Sequence, residues 1–193
     1  MTKKLTKHQK VAKVFRKIDQ TYLKGIKPEQ FIKTLESKNI DCVIDIRFWS
    51  VYPTYFNPKN MEKLLEIHEI EYKQFQELGN PSSLRKRAKD FRKAKKLYTE
   101  YVKTEADDEL TTLVNLMRFN KRYCLICYCP TEDPRKCHRF WLIELIMNKY
   151  REKLGLDPIF DINNYHRAVL TNKIRKEIYK VKKKEKVLDQ WMH

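Results

Sequence analysis

Residues 122–146 hold the side chains best suited to chemistry. The apolar run Tyr123-Cys124-Leu125-Ile126-Cys127-Tyr128 leads through Cys129-Pro130-Thr131-Glu132-Asp133-Pro134 into Cys137-His138-Arg139, and a second apolar run, Phe140 to Ile146, follows. A thiol, an imidazole and a guanidinium thus stand consecutively where a strand hands over to a helix. In open α/β proteins ligands bind at that handover. With Asp133 as helix cap and Pro134 as first helical residue, Cys137 and His138 fall in the first turn. There the helix dipole favours a thiolate and any bound anion. Cys137 is then a candidate nucleophile and His138 a candidate acid or base. The non-catalytic alternatives are a small thiol packed under the loop and an imidazole that pins it.

A second group lies at Cys42-Val43-Ile44-Asp45-Ile46-Arg47, read as a buried strand ending in charge. Asp45 and Arg47 share one face, because side chains alternate along a strand. If this strand neighbours the one at 123–128, Asp45, Arg47 and Cys-His-Arg meet in one crevice. Arg47 and Arg139 would hold a phosphate by paired hydrogen bonds. Asp45 would act as a base or grip a ribose hydroxyl, with Glu77 a further acid. An Asp45–arginine salt bridge that only fixes the loops is the structural alternative.

The five cysteines are odd in number, and four cluster between 124 and 137, unlike a disulfide framework. As zinc ligands, Cys124 and Cys127 are excluded together by strand parity, leaving Cys127, Cys129, Cys137 and His138 able to converge. The glycine-rich knuckles of zinc ribbons are absent, so the site is read without a metal or other cofactor. Cys129 and Arg135 are spaced like the cysteine and arginine of a phosphatase loop. Two prolines and two acids between them count against a phosphate cradle of backbone amides.

Other elements must position these groups. Pro28 fits the first turn of a helix bearing Phe31, Ile32 and Leu35, with Asn39 as its stop. Asn57-Pro58 caps a helix carrying Met61, Leu64, Leu65 and His68. Tyr72 to Phe75 reads as a strand, 87–102 as a basic helix with Phe91, Ala94, Tyr98 and Tyr101 inward, and Asp107 as the next cap. Trp49, Tyr52, Tyr55 and Phe56 crowd the loop after Arg47, read as a packed lid with base stacking as the alternative, and Trp141 reads as core. Alternating strands and helices imply an α/β fold, a mainly parallel sheet with helices on both faces. The expected organisation is a core over 21–158 with basic helical extensions at 1–20 and 159–193.

The net charge of +17 is unevenly spread. Residues 1–20 carry seven Lys/Arg against one acid, 82–103 nine against two, and 171–193 eight against three. Such segments form a polyanion footprint if they converge, and separate solvated faces if they do not. Arg85, Lys86, Arg87, Arg92, Lys182 and Lys183 are the expected nucleic-acid contacts, and charge alone does not separate DNA from RNA. No apolar run reaches membrane-spanning length and the basic N-terminus lacks a signal-like apolar segment, so a cytoplasmic protein without a membrane partner is expected.

The ordered set Asp45-Ile46-Arg47, Phe56-Asn57-Pro58, Tyr72, Glu77-Leu78-Gly79, Tyr98 with Tyr101, and Cys137-His138-Arg139 resembles the domain-of-unknown-function family 488 over residues 22–147. The resemblance implies a compact α/β fold with a shared pocket at the strand ends, and no settled reaction. Two positions depart from it. Tyr22-Leu23-Lys24-Gly25 stands where the family's first strand ends Thr-Ile-Gly, and Cys129 stands where the family often has an acid, with Glu132 or Asp133 as substitutes. The leading expectation is a protein that acts on or binds nucleic acid or nucleotides. A non-catalytic nucleic-acid-binding module and a small-molecule enzyme with incidental basic helices are the alternatives.

Overall fold

The computed structural model describes residues 5–48, 54–117 and 120–158. The chain divides into two compact units, Met1–Phe160 and Asp161–His193, and every described residue belongs to the first. Lys182, Lys183, Trp49, Tyr52 and the expected 159–193 helix lie outside the described residues.

Four parallel strands, β1 (Ile18–Tyr22), β2 (Cys42–Asp45), β3 (Glu71–Gln74) and β4 (Tyr123–Cys127), form one sheet in the order β1-β4-β2-β3. The helices are α1 (Lys7–Phe15), α2 (Pro28–Ser37), α3 (Pro58–Ile67), α4 (Ser82–Arg87), α5 (Phe91–Glu105), α6 (Asp107–Leu116) and α7 (His138–Lys153). This is the α/β architecture expected. Among the described residues no helix is long and apolar enough to cross a membrane.

Local chemistry fixes most boundaries. Pro28 and Pro58 occupy the first turns of α2 and α3, and the Asn57 side chain accepts the Asn60 N–H at 2.8 Å. Both helices end on a residue with positive φ, Asn39 and Glu69. That conformation returns the next amide to the helix, Ile40 N–H to the Leu35 carbonyl and Ile70 N–H to Leu65.

Alternation along the strands sorts the two faces. Val43, Cys124 and Ile126 pack with Phe31, Ile32 and Leu35 of α2 and Met61 and Leu65 of α3. Leu125 pairs in register with Ile44, and these two, with Cys127, face the other way. The α7 helix belongs to this second side. It contacts β4, α1, α5 and α6, which is why its apolar residues run all round rather than along one stripe.

Four boundaries differ from the sequence reading. Residues 18–20, expected in a helical extension, are part of β1, whose Tyr22 pairs with Cys127. Its polar sequence Ile-Asp-Gln-Thr-Tyr gives no core signal, and pairing at the sheet edge makes it a strand. The basic helix expected over 87–102 is two helices: Ala88 is extended, and the Asp90 carboxylate caps α5 through Lys93 N–H at 2.8 Å. Phe91 is consequently half exposed, while Leu97, Tyr98 and Val102 face inward. Asp107 is the first residue of α6 rather than its cap, and its carboxylate binds Lys149 of α7. Asp133 caps a local turn through Arg135 N–H, so α7 starts at His138 with Cys137 as its N-cap residue.

Candidate functional site

β2 leads to α3 on one face and β4 to α7 on the other, so the chain parts between the C-terminal ends of two neighbouring strands. A crevice at such a parting is the usual ligand site of an open sheet. Here a small cavity of ≈ 50 Å³ is lined by Arg47, Phe48, Asn80, Arg85, Cys127, Tyr128, Cys129 and His138. A larger groove of ≈ 330 Å³ shares Asn80, Arg85, Cys129 and His138 and continues past Lys89, Phe91, Lys136 and Trp141.

Asp45 does not enter this crevice. It lies on the Val43 side of the sheet, opposite Cys127, and is fully buried. Its carboxylate accepts Arg47 Nε at 2.8 and 2.9 Å, Arg47 Nη2 at 2.5 Å, the Arg47 amide at 3.1 Å and the Tyr72 hydroxyl at 2.7 Å. Burial first, and the Asp45 charge second, push the Tyr72 phenol far above its ordinary value, so it remains a donor. The arrangement holds Arg47 at the crevice wall and occupies the carboxylate that was expected to move protons.

The segment after Arg47 is braced from the other side. Gly79 lies against Phe48, and a Cβ there would be 2.5 Å from the Phe48 nitrogen. Its loop is strapped to α5 and α6. Tyr98 donates to the Leu78 carbonyl at 2.6 Å, Tyr101 to the Glu77 carbonyl at 2.9 Å, and the Glu109 carboxylate accepts Leu78 N–H at 3.0 Å. Glu77 itself is exposed and lines neither cavity. Desolvation, and then the Glu77 charge, raise the Glu109 carboxyl above its ordinary value near 4.5. An acid raised in the folded state contributes stability below that value and loses it as pH rises through the folded pKa. Glu109→Gln keeps an acceptor for Leu78 without the charge. The variant should therefore gain thermal stability relative to the parent at pH 7 over its standing at pH 4. An identical difference at both pH values in thermal melts would refute this.

Across the crevice, Cys127 Sγ and Cys137 Sγ are 3.5 Å apart and Cys129 Sγ is 3.7 Å from His138 Nδ1. Cys129 N–H donates to Cys127 Sγ at 3.2 Å, and the four ligand-type atoms lie within 4.8 Å of one another. The other two cysteines are ordinary core. Burial pushes the thiols of Cys42 and Cys124 up to about 12. Cys129 shifts the opposite way, pulled down by hydrogen bonds from the Cys127 and Cys137 thiols and then by the charges of Arg139 and Arg85. The Tyr98 ring packs edge-on against His138 at 5.7 Å. Cys137 is fully buried, a position that fits packing rather than attack on a substrate in the groove.

Arg139 also turns away from the crevice, because adjacent residues on a helix diverge by about 100°. Its side chain is fully buried, Nη2 donates to the Thr131 carbonyl at 2.6 Å, and the guanidinium sits over the Tyr22 and Phe140 rings. Of the expected phosphate pair, Arg47 lines the crevice and Arg139 does not. Among the basic residues named from the sequence, Arg85 lines both cavities, while Lys86, Arg87 and Arg92 are exposed outside them. Arg135, weighed in the phosphatase spacing, is taken by Asp133 at 2.8 Å.

The model of one protein family, described as domain of unknown function DUF488, matches residues 27–146, well over half of the chain. The chain belongs to the DUF488 family. No curated protein and no solved structure matches it. The DUF488 match spans α2 to most of α7, and so contains every crevice residue while leaving out α1 and β1. Within this DUF488 protein, several site residues carried no role in the sequence reading. Tyr72 was legible through parity, since it pairs with Val43 and so shares the Asp45 face. Asn80, Tyr128 and Lys136 had no signal, and Lys89 only its place in the 82–103 basic segment, because only the packing of α4 and α5 beside the β4–α7 loop brings them together.

Proposed function

We propose that this DUF488 protein binds nucleic acid through the groove beside the β2–β4 crevice, with phosphates on cations and an unstacked base on Phe91. The observation that carries the reading is the composition of the groove wall. Arg85, Lys89 and Lys136 line it with a single carboxylate, Asp90, which is engaged in capping α5, while Asp133 approaches Lys136 from outside the lining at 3.5 Å. Phe91 is 51% exposed, an unusual state for a phenylalanine, and the Lys136 ammonium lies 5.6 Å from its ring centre. Cations interleaved with an exposed aromatic ring suit single-stranded nucleic acid, whose bases stack on such platforms. Arg47, held by Asp45, would take a phosphate where the groove meets the crevice.

The test is fluorescence anisotropy with labelled 12-mers of single-stranded DNA and RNA. Three phosphate-neutralising cations give a slope of roughly −2 in log K against log salt, on the order of a 20-fold loss between 50 and 200 mM. Joint replacement of Arg85, Lys89 and Lys136 by alanine should remove most of the affinity and flatten that slope. Phe91→Ala should weaken binding by ~1–3 kcal/mol without changing the slope. No binding of either 12-mer at 50 mM salt refutes the reading.

A further inference from the structure

We propose that Cys127, Cys129, Cys137 and His138 bind one tetrahedral zinc ion that ties the end of β4 to the start of α7. This inference is independent of the nucleic-acid reading.

The donors come from a strand end, the second loop position, the N-cap residue and the first helical residue, and fall within 4.8 Å of one another. With metal–sulfur bonds near ~2.3 Å and metal–nitrogen bonds near ~2.0 Å, the edges of a tetrahedron are roughly 3.5–3.8 Å. The Cys127–Cys137 sulfur separation of 3.5 Å and the Cys129–His138 separation of 3.7 Å fall within about 0.3 Å of the sulfur–sulfur edge, ~3.8 Å, and the sulfur–nitrogen edge, ~3.5 Å. The glycine knuckles whose absence counted against zinc are unnecessary here. The strand end and the helix start already turn the chain around the site.

Two further observations point to a ligand. His138 is 6% exposed, yet among the described residues its Nε2 has no hydrogen-bond partner and its Nδ1 meets only the Cys129 sulfur. An imidazole that merely pinned a loop would donate to a carbonyl or carboxylate, and this one does not. Arg139 is fully buried, with Nε and Nη1 unpartnered among the described residues and Glu132 no closer than 3.9 Å. A buried cation needs a compensating charge. Three thiols that surrender their protons to a divalent ion, with one neutral imidazole, form a complex of net charge −1. That complex would set a negative charge next to the buried Arg139, the residue after His138, whose contact with the exposed Glu132 carboxylate is long at 3.9 Å. Thiolate ligands select zinc over magnesium or calcium, and four protein donors leave no open position, so the ion is structural.

The experiment uses the full-length chain, purified reduced from zinc-supplemented medium, with elemental analysis by mass spectrometry. A single zinc per chain is expected. After chelator treatment, cobalt(II) titration should produce the visible bands and sulfur-to-metal charge-transfer absorption of a tetrahedral thiolate site, saturating at one equivalent. Cys129→Ser should lower cobalt affinity at least tenfold, while Cys124→Ser, a core cysteine outside the cluster, should leave it unchanged. The cobalt titration of the parent chain does not depend on any variant folding. Zinc far below one equivalent together with no thiolate–cobalt absorption overturns the proposal. So does equal cobalt affinity in Cys129→Ser and Cys124→Ser.

Discussion

Replacing Asp45 by alanine should destabilise the protein by ~3–5 kcal/mol, because it strands a buried arginine without its counter-ion. Arg47 is 3% exposed and donates three of its side-chain hydrogen bonds to that carboxylate. The Tyr72 hydroxyl, which burial keeps protonated, loses its acceptor in the same step. At ~2–4 °C per kcal/mol for a domain of this size, the melting temperature should fall by on the order of 10 °C. The informative comparison is Asp45→Ala with Arg47→Met. Removing both charges avoids the unpaired cation, so the double variant should be more stable than Asp45→Ala alone. Urea denaturation of the three proteins decides it. A double variant no better than the single one would mean that the cost is a cavity rather than a charge.

Gly79→Ala is the second substitution with a large expected effect, and its cause is purely steric. Gly79 has φ −69°, which any residue adopts, so no backbone strain is involved. The added methyl would sit 2.5 Å from the Phe48 nitrogen and 2.7 Å from its Cα and Cβ. Those are main-chain atoms and the root of a side chain, and they cannot swing aside as a lysine tip would. The 47–48 segment or the 77–79 loop must move, at ~1–3 kcal/mol for an overpacked site. Tyr98, Tyr101 and Glu109 hold the loop, so the yielding part should be Phe48 with Arg47. Amide chemical-shift changes should therefore concentrate at 46–48 and at the crevice rather than in α5. A variant with parental stability and an unchanged spectrum there would contradict the close approach.

These two positions show how the residues that carry the resemblance translate into structure. Glu77-Leu78-Gly79 offers its backbone, not the Glu77 side chain, and Tyr98 and Tyr101 act as donors that strap that backbone down. Phe56 fills the core against Phe31, and neighbouring Tyr55 remains half exposed. Trp141 is core as its apolar setting implied, while one edge of it reaches the groove.

Sequence alone determined the elements whose signals are local. Proline at a first turn, an asparagine cap at 57, a stop at Asn39 and apolar runs at 42–46 and 123–127 each follow from a few adjacent residues, and so does the alternation that implied a parallel sheet. It also placed the candidate site at the ends of β2 and β4. Which side chains share that site was decided by tertiary structure. Parity within one strand is written in the sequence, but the relation between two strands depends on a register joining residues some eighty positions apart, Ile44 with Leu125. That register puts Asp45 and Cys127 on opposite faces. Helical rotation then separates His138, which reaches the crevice, from Arg139, which is buried behind it. The cysteine cluster likewise depended on where α7 begins, four residues beyond the expected start, because Asp133 closed a local turn instead. The position of the candidate crevice was therefore legible in the sequence, and which side chains line it was set by packing.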